Sequence, residues 1–216
     1  MHFVIINASP HTKESSNTAL ITDAFQKGLT KAGCTSDIYH LSQQSQWENA
    51  KNAFYNSENI VFALPVFAAI IPGMLMRFLE ELSSECKGKT NRKVSFIIQS
   101  GFPEANQRHC CENYLKTLPD LLLSEFSGIL SYGINSRFID NKELKQMLSE
   151  FEDMGVSFAH NGGNFFFSEV ENFTGKEYIT QAEAKKFNRM FNFFCKHIAE
   201  SKGCLDTDMQ PLIQEK

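Results

Sequence analysis

The sequence predicts an α/β protein, a parallel β-sheet covered by helices on both faces. Three observations carry that expectation. Short continuous apolar runs at Phe3 to Ile6, Ile60 to Leu64 and Val94 to Ile98 have the character of strands buried on both sides. Between them lie stretches whose apolar residues recur at helical spacing. Strand and helix patterns that alternate through short connections imply right-handed crossovers and a parallel sheet.

Each element follows in turn. After the first strand, Leu20, Ile21, Ala24, Phe25, Gly28 and Leu29 fall at helical spacing, and Gly33 suits the C-terminal cap. A weaker strand around Asp37 to Leu41 reads as a sheet margin, and a polar helix runs from Gln46 to about Ser57. The third strand leads through Pro72 and Gly73 into a helix striped by Leu75, Phe78, Leu79 and Leu82. Beyond the fourth strand and the loop "QSGFPEANQ" comes a helix carrying Cys111, Tyr114, Leu115, Leu118 and Leu122, interrupted near Pro119. A fifth strand is expected near Ser127 to Ile134, then helices over about 141–159 and 181–199. The second of these has Phe187, Met190, Phe191, Phe194 and Ile198 in register. The Gly- and Phe-rich segment between these two helices has no legible pattern. The whole reads as a single domain, 1–216, with a C-terminal helical extension over about 140–205.

Bulk properties narrow the function classes. A chain of 216 residues, 42% hydrophobic and 21% charged, can bury one core of normal size. The formal net charge is -4 with Lys and Arg scattered, so the footprint of a nucleic-acid binder is missing. No apolar run approaches the roughly 18 residues that span a bilayer, and no secretory leader is visible, so no membrane association is expected and a cytoplasmic location is. Six cysteines show no metal-binding spacing, which predicts reduced, mostly buried thiols and no metal site.

In open parallel sheets ligands sit outside the carboxyl ends of the strands, and the three loops there are the unusual parts of this chain. The first, "NASPHTKESSNTAL", runs from Asn7 into a helix that begins near Asn17 or Thr18. A helix N-terminus carries about half a positive charge and can hold a phosphate dianion. Ser9, Thr12, Ser15, Ser16, Asn17 and Thr18 add donors around that point, with His11 or Lys13 as sources of charge. One N-cap would account for one such residue, not six in ten. Neither G-x-G-x-x-G nor G-x-x-x-x-G-K-[ST] occurs, which disfavours a dinucleotide or a nucleoside triphosphate and leaves a monophosphate.

The second loop, "ALPVFAAIIPGML", is apolar where loops are usually polar, so Pro65, Val66, Phe67, Ala68, Ala69, Ile70 and Ile71 call for cover by a ligand or a second subunit. The third, "QSGFPE", offers close backbone approach at Gly101 and a rigid apolar wall at Phe102 and Pro103. A phosphate pocket beside two loops shaped for a planar ring describes a flavin mononucleotide site.

These residues carry a resemblance. The chain resembles the flavodoxin-like-fold NAD(P)H-dependent FMN reductases, whose first loop reads G-S-P-R-x-x-S-N-T with spacers of variable length. Their second loop reads P-V-Y-x-x-x-x-P-G-x-L-K-x-F-I-D. Here the loops are "ASPHTKESSNT" and "PVFAAIIPGMLMRFLEE", and "SGFPE" is similar to a form in some members. The likeness covers about the first 135 residues. It implies a three-layer sandwich with five parallel strands in the order 2-1-3-4-5, FMN as cofactor and NADH or NADPH as electron donor. It implies phosphate contacts at Ser9, His11, Ser16, Asn17 and Thr18, and ring contacts at Pro65, Val66, Phe67, Ala68, Ala69 and Ile70, completed by Ser100, Gly101 and Phe102. Three positions depart from the pattern: Ala8 stands for glycine, His11 for arginine and Phe67 for tyrosine.

The expected function is an oxidoreductase passing electrons from NAD(P)H to a small-molecule acceptor such as a flavin or quinone. The flavin carries that chemistry, so no catalytic side chain is nominated. Two alternatives stand beside it, an electron carrier with a protein partner and a flavin-free regulatory protein of the same fold. A serine hydrolase is disfavoured because Ile98 and Phe102 occupy the glycine positions of a nucleophile elbow around Ser100. The Phe-rich C-terminal part, Phe165 to Phe167 and Phe187 to Phe194, suggests a homodimer interface as in related reductases, or core packing within the chain.

Overall fold

A computed structural model of the protein describes residues 1–85, 91–133 and 139–204. Its strands are β1 (His2–Asn7), β2 (Thr35–His40), β3 (Asn59–Pro65), β4 (Lys93–Ser100) and β5 (Glu125–Gly133). They form one parallel sheet in the order β2-β1-β3-β4-β5, as the resemblance implies. Ile134, expected in the fifth strand, lies outside the described residues. The helices are α1 (Asn17–Lys31), α2 (Trp47–Asn56), α3 (Gly73–Glu85), α4 (His109–Leu115), α5 (Leu118–Leu121), α6 (Asn141–His160), α7 (Ser168–Thr174) and α8 (Gln181–Ser201).

Alternate strand residues feed two cores, because successive side chains leave a strand on opposite faces. Val4, Ile6, Ile60, Phe62, Leu64, Phe96 and Ile98 pack with Phe54 of α2, Leu75, Phe78 and Leu82 of α3, and Leu115 of α4. Phe3, Ile5, Val61, Ala63 and Ile97 pack on the other face with Phe25 and Leu29 of α1, Phe151 and Phe158 of α6, and Phe165. The resulting three layers are those of a flavodoxin-like sandwich. The chain crosses from β2 back over β1 to β3, so sheet order reverses between β1 and β3, and their carboxyl ends open a crevice there.

Helix α1 is held by a glycine pair. A Cβ on Gly28 would sit 2.9 Å from the Gly155 Cα, and one on Gly155 would sit 2.3 Å from the Phe25 carbonyl oxygen and 3.1 Å from the Gly28 Cα. Backbones of α1 and α6 therefore touch, which fixes where the N-terminus of α1 points.

Several expectations change on folding. Leu20 is exposed although its stripe partners are buried. The interruption expected near Pro119 is present, dividing the helix into α4 and α5, since the ring is accommodated in the first turn of a new helix. The thiols are not mostly buried: Cys34 and Cys111 are, but Cys110, Cys195 and Cys204 are exposed, and Cys86 lies outside the described residues. The segment without a legible pattern holds α7 and sends Phe165 into the core against Phe25 and Phe158. The chain groups into two compact units, Met1–Tyr178 and one beginning at Ile179. The second contains α8, opened by a Thr180 and Glu183 capping box, and none of the residues of α8 is buried. No helix among the described residues is long and apolar enough to cross a membrane.

Candidate functional site

The first loop leaves β1 by a turn that Asn7 organises. Its side-chain oxygen accepts from the Ser9 N–H at 3.0 Å, and its amide donates to Thr22 Oγ1 at 3.3 Å, so a residue of α1 holds the loop's start. Ser9 Oγ then accepts from the His11 N–H at 3.3 Å. Ser16 caps α1, its Oγ accepting from the Ala19 N–H at 3.1 Å. A small pocket of about 60 Å³ forms at this helix N-terminus, lined by Ser9, His11, Ser15, Asn17, Thr18, Pro65, Phe67 and Gln99. Its lining contains hydroxyls, amides and an imidazole and no carboxylate, the chemistry of an anion site.

Charge near this pocket is sparse. Lys13 does not line it and lies 3.5 Å from the Asp23 carboxylate. His40, at the end of β2, has its pKa lowered by burial and next by the Lys13 ammonium, which favours the neutral imidazole. The helix dipole and neutral donors therefore supply most of the attraction.

A larger cavity of about 330 Å³ adjoins it, walled by Pro65, Val66, Phe67, Ala68, Ala69, Gln99, Ser100, Gly101, Phe102 and Gln107. Pro65, Phe67 and Gln99 line both spaces. The second loop is a miniature hairpin: Phe67 and Ile70 exchange N–H···O bonds of 3.1 and 3.0 Å around Ala68 and Ala69. Both alanines have positive φ, 48° and 65°, the conformation of a two-residue turn that usually recruits Asn and Gly. The turn leaves Phe67 45% and Ile70 55% exposed, while Val66 stays buried with its N–H bonded to the Gln99 carbonyl at 2.8 Å.

The third loop is shaped by Ser100, whose Oγ accepts from the Phe102 N–H at 2.9 Å, and Phe102 stays 49% exposed at the cavity. Behind it lies Arg108, fully buried. Its Nε donates to Ser131 Oγ at 2.7 Å, Nη1 to the Phe102 and Glu104 carbonyls at 3.3 and 3.0 Å, and Nη2 to the Thr174 carbonyl at 2.6 Å. Ser131 passes a hydrogen bond of 2.6 Å to Glu112, which with Glu177 holds His109 between two carboxylates at 2.9 and 2.8 Å. Burial pulls the Arg108 pKa below its usual range, opposed by Glu112 and Glu177, yet guanidinium remains a cation.

Of the residues expected from sequence, Ser9, His11, Asn17 and Thr18 line the small pocket, and Val66, Ala68, Ala69, Ser100, Gly101 and Phe102 the large one, with Pro65 and Phe67 in both. Ser16 caps the helix, and Ile70 closes the turn without lining either space. Sequence reasoning passed over Gln99, Gln107 and Arg108. Gln99 had a signal, being a polar residue at the end of an apolar strand; Arg108, in a polar stretch, had none.

No family model matches this chain, and no curated protein matches its sequence. Solved structures do match in fold. An FMN-dependent NADH-azoreductase from Bacillus anthracis in complex with FMN superposes with a TM-score of 0.53 at 18% identity, over 73% of this chain and 99% of that one. An NAD(P)H:quinone oxidoreductase from Methanothermobacter marburgensis gives 0.58 at 15%, over 74% and 96%. The general stress protein 14 from Treponema denticola, in complex with FMN, gives 0.56 at 12%, over 74% and 99%. At such identities the likeness is one of fold.

Proposed function

We propose that the chain is a cytoplasmic FMN-dependent oxidoreductase that takes electrons from NADH or NADPH and passes them to a small acceptor. One observation carries this reading: an anion pocket at the N-terminus of α1 opens, past Pro65, Phe67 and Gln99, into a cavity walled by two loops with exposed aromatic rings. That order of surfaces matches the phosphate, the linking chain and the flat ring of FMN. The volume of about 330 Å³ lies within the range of cofactor sites. The FMN named in the azoreductase and stress-protein structures supports the choice of ligand.

In this reading Ser9, His11, Ser16, Asn17 and Thr18 hold the phosphate, and the Ser16 hydroxyl can donate its hydrogen while accepting from Ala19. Pro65, Val66, Phe67, Ala68 and Ala69 form one wall of the ring site, with Ile70 closing the turn that carries them, and Ser100, Gly101 and Phe102 form the other. Bound FMN supplies the hydride and electron chemistry. The protein orients the ring, and Phe67 and Phe102 shield it from water; no side chain is assigned a proton.

The test is a visible spectrum of the purified protein with and without FMN, followed by anaerobic NADH and then NADPH. The expected result is a bound yellow flavin that bleaches with a nicotinamide and reoxidises with a quinone or azo dye. A protein that stays colourless is the flavin-free regulatory alternative, and one that turns over only with a partner protein is the electron carrier.

We also infer a homodimer, because α8 carries Phe193 at 75% and Ile198 at 40% exposure, apolar surface that a second copy would cover. Light scattering at micromolar concentration should give twice the monomer mass, reduced by Phe193→Asp. A monomeric wild type would sink this assignment.

A further inference from the structure

We propose that Arg108 is a positioning residue for the ring site, and that through it the Thr174 to Glu177 segment is coupled to ligand binding although it lines neither pocket. The proposal rests on the oxidoreductase reading for its ligand and on independent geometry for the coupling.

A fully buried cation is costly, and an apolar residue of similar volume would often stabilise a fold as well or better. What Arg108 does that a hydrocarbon cannot is hold carbonyl groups of separate segments at once. Its fork engages Phe102 and Glu104 in the third loop and Thr174 at the end of α7, while Nε is anchored to Ser131 on β5. The third loop is thereby gripped from behind on both sides of Pro103. Phe102 has its N–H on Ser100 Oγ and its carbonyl on Arg108, and the residue lines the cavity.

The same loop is strapped a second time. The Ala105 and Asn106 N–H groups donate to the Lys176 and Glu177 carbonyls at 2.9 and 3.4 Å, and the Glu177 carboxylate reaches His109. Gly133 supplies the space. A Cβ there would stand 2.3 Å from Arg108 Nη1 and 2.3 Å from the Phe102 carbonyl oxygen. The end of β5, the start of α4 and the end of α7 thus converge on the loop through one guanidinium.

A ring site built from backbone must be ordered before the ligand arrives, or the ligand's affinity is reduced by the ordering cost. Linkage requires the converse: a ligand that orders the loop also orders what the loop is tied to. Arg108 should therefore affect the ring part of the ligand and leave the phosphate part unchanged.

The experiment combines amide exchange with binding of FMN and of riboflavin, which lacks the phosphate. In the wild type, FMN should slow exchange across 99–107 and also across 174–178. Arg108→Met should weaken FMN and riboflavin by the same factor, about tenfold, and speed exchange in both segments without ligand. Arg108→Lys, which lacks the fork, should recover only part of the loss. Gly133→Ala, which keeps the charge and displaces the loop, should reproduce the Arg108→Met pattern. Protection confined to 99–107, a change in the ratio of FMN to riboflavin affinity, or unaltered exchange in both variants would overturn the proposal. A wild type that binds no flavin defeats the oxidoreductase reading instead, and ligand-free exchange in the variants still decides the role of Arg108.

Discussion

Ser16 and the alanine pair at 68 and 69 show how much one side chain decides at this site. Ser16 satisfies an N–H in the first turn of α1 from a buried position, and losing an N-cap typically costs about 1 kcal/mol. Ser16→Ala should therefore lower the melting temperature by about 2–4 °C, measured by circular dichroism. Ala68 and Ala69 run the other way. A non-glycine residue in the left-handed region is strained by about 1 kcal/mol, and two adjacent ones hold the ring-side turn. Replacing them by Asn and Gly, the pair such turns favour, should raise the melting temperature by a few degrees. A drop on that replacement would mean the alanine methyls make contacts worth more than the strain. Both alanines lie in the cavity wall, whereas Leu123, with the same left-handed backbone, lines neither space. Cys111 illustrates the inert case: burial and then Glu112 push its thiol up to about 12, in keeping with a packing role.

At the scale of elements, α1 and the strap beside α4 carry the arrangement. Because the α1 and α6 backbones meet at Gly28 and Gly155, a methyl at 155 must push the helices apart. Gly155→Ala should cost about 1–3 kcal/mol in urea denaturation and weaken phosphate-dependent binding, since the N-terminus of α1 shifts with its helix. The strap depends on His109, which faces Glu112 on its own helix and Glu177 on the strap, with the Arg108 guanidinium next along the chain. Hydrogen bonds to Glu112 and then Glu177 raise its pKa above the ordinary histidine value. A raised pKa means the ion pairs stabilise fully below the unfolded-state value near 6.5 and are lost as pH rises through the folded-state value. NMR titration should find His109 above that reference, and Glu177→Gln should bring it down. Amide protection at 175–178, taken relative to intrinsic exchange at each pH, should fall as pH rises through the folded-state value of His109.

At the scale of the whole molecule, a cofactor that binds the folded state alone stabilises it by mass action. With free FMN at about 100 times its Kd the gain is about 2.7 kcal/mol, so the unfolding midpoint should rise by roughly 5–10 °C. FAD, whose second phosphate and adenosine would have to leave the small pocket at the α1 N-terminus, should give a smaller rise. Equal shifts for both would mean that this pocket does not select a monophosphate.

Much of this architecture was legible in the chain. Continuous apolar runs at Phe3, Ile60 and Val94 call for burial on both faces, and their alternation with helical patterns makes the sheet parallel and helix-covered. The loops at Asn7, Ala63 and Gln99 were legible because each breaks its local rule, polar after an apolar strand or apolar where water is expected. What lay beyond the sequence was whatever depends on distant partners. Arg108 is an ordinary basic residue until Phe102, Glu104, Ser131 and Thr174 converge on it, and the segment 160–178 sends Phe165 to the core but the Thr174 and Lys176 carbonyls to Arg108 and Ala105, partners that no single period encodes. Periodicity records which face of an element meets the core, so the chain by itself determined the layers and the loops that open between them. Which carbonyl meets which guanidinium is set by contacts across tens of residues, and only the tertiary structure decided that.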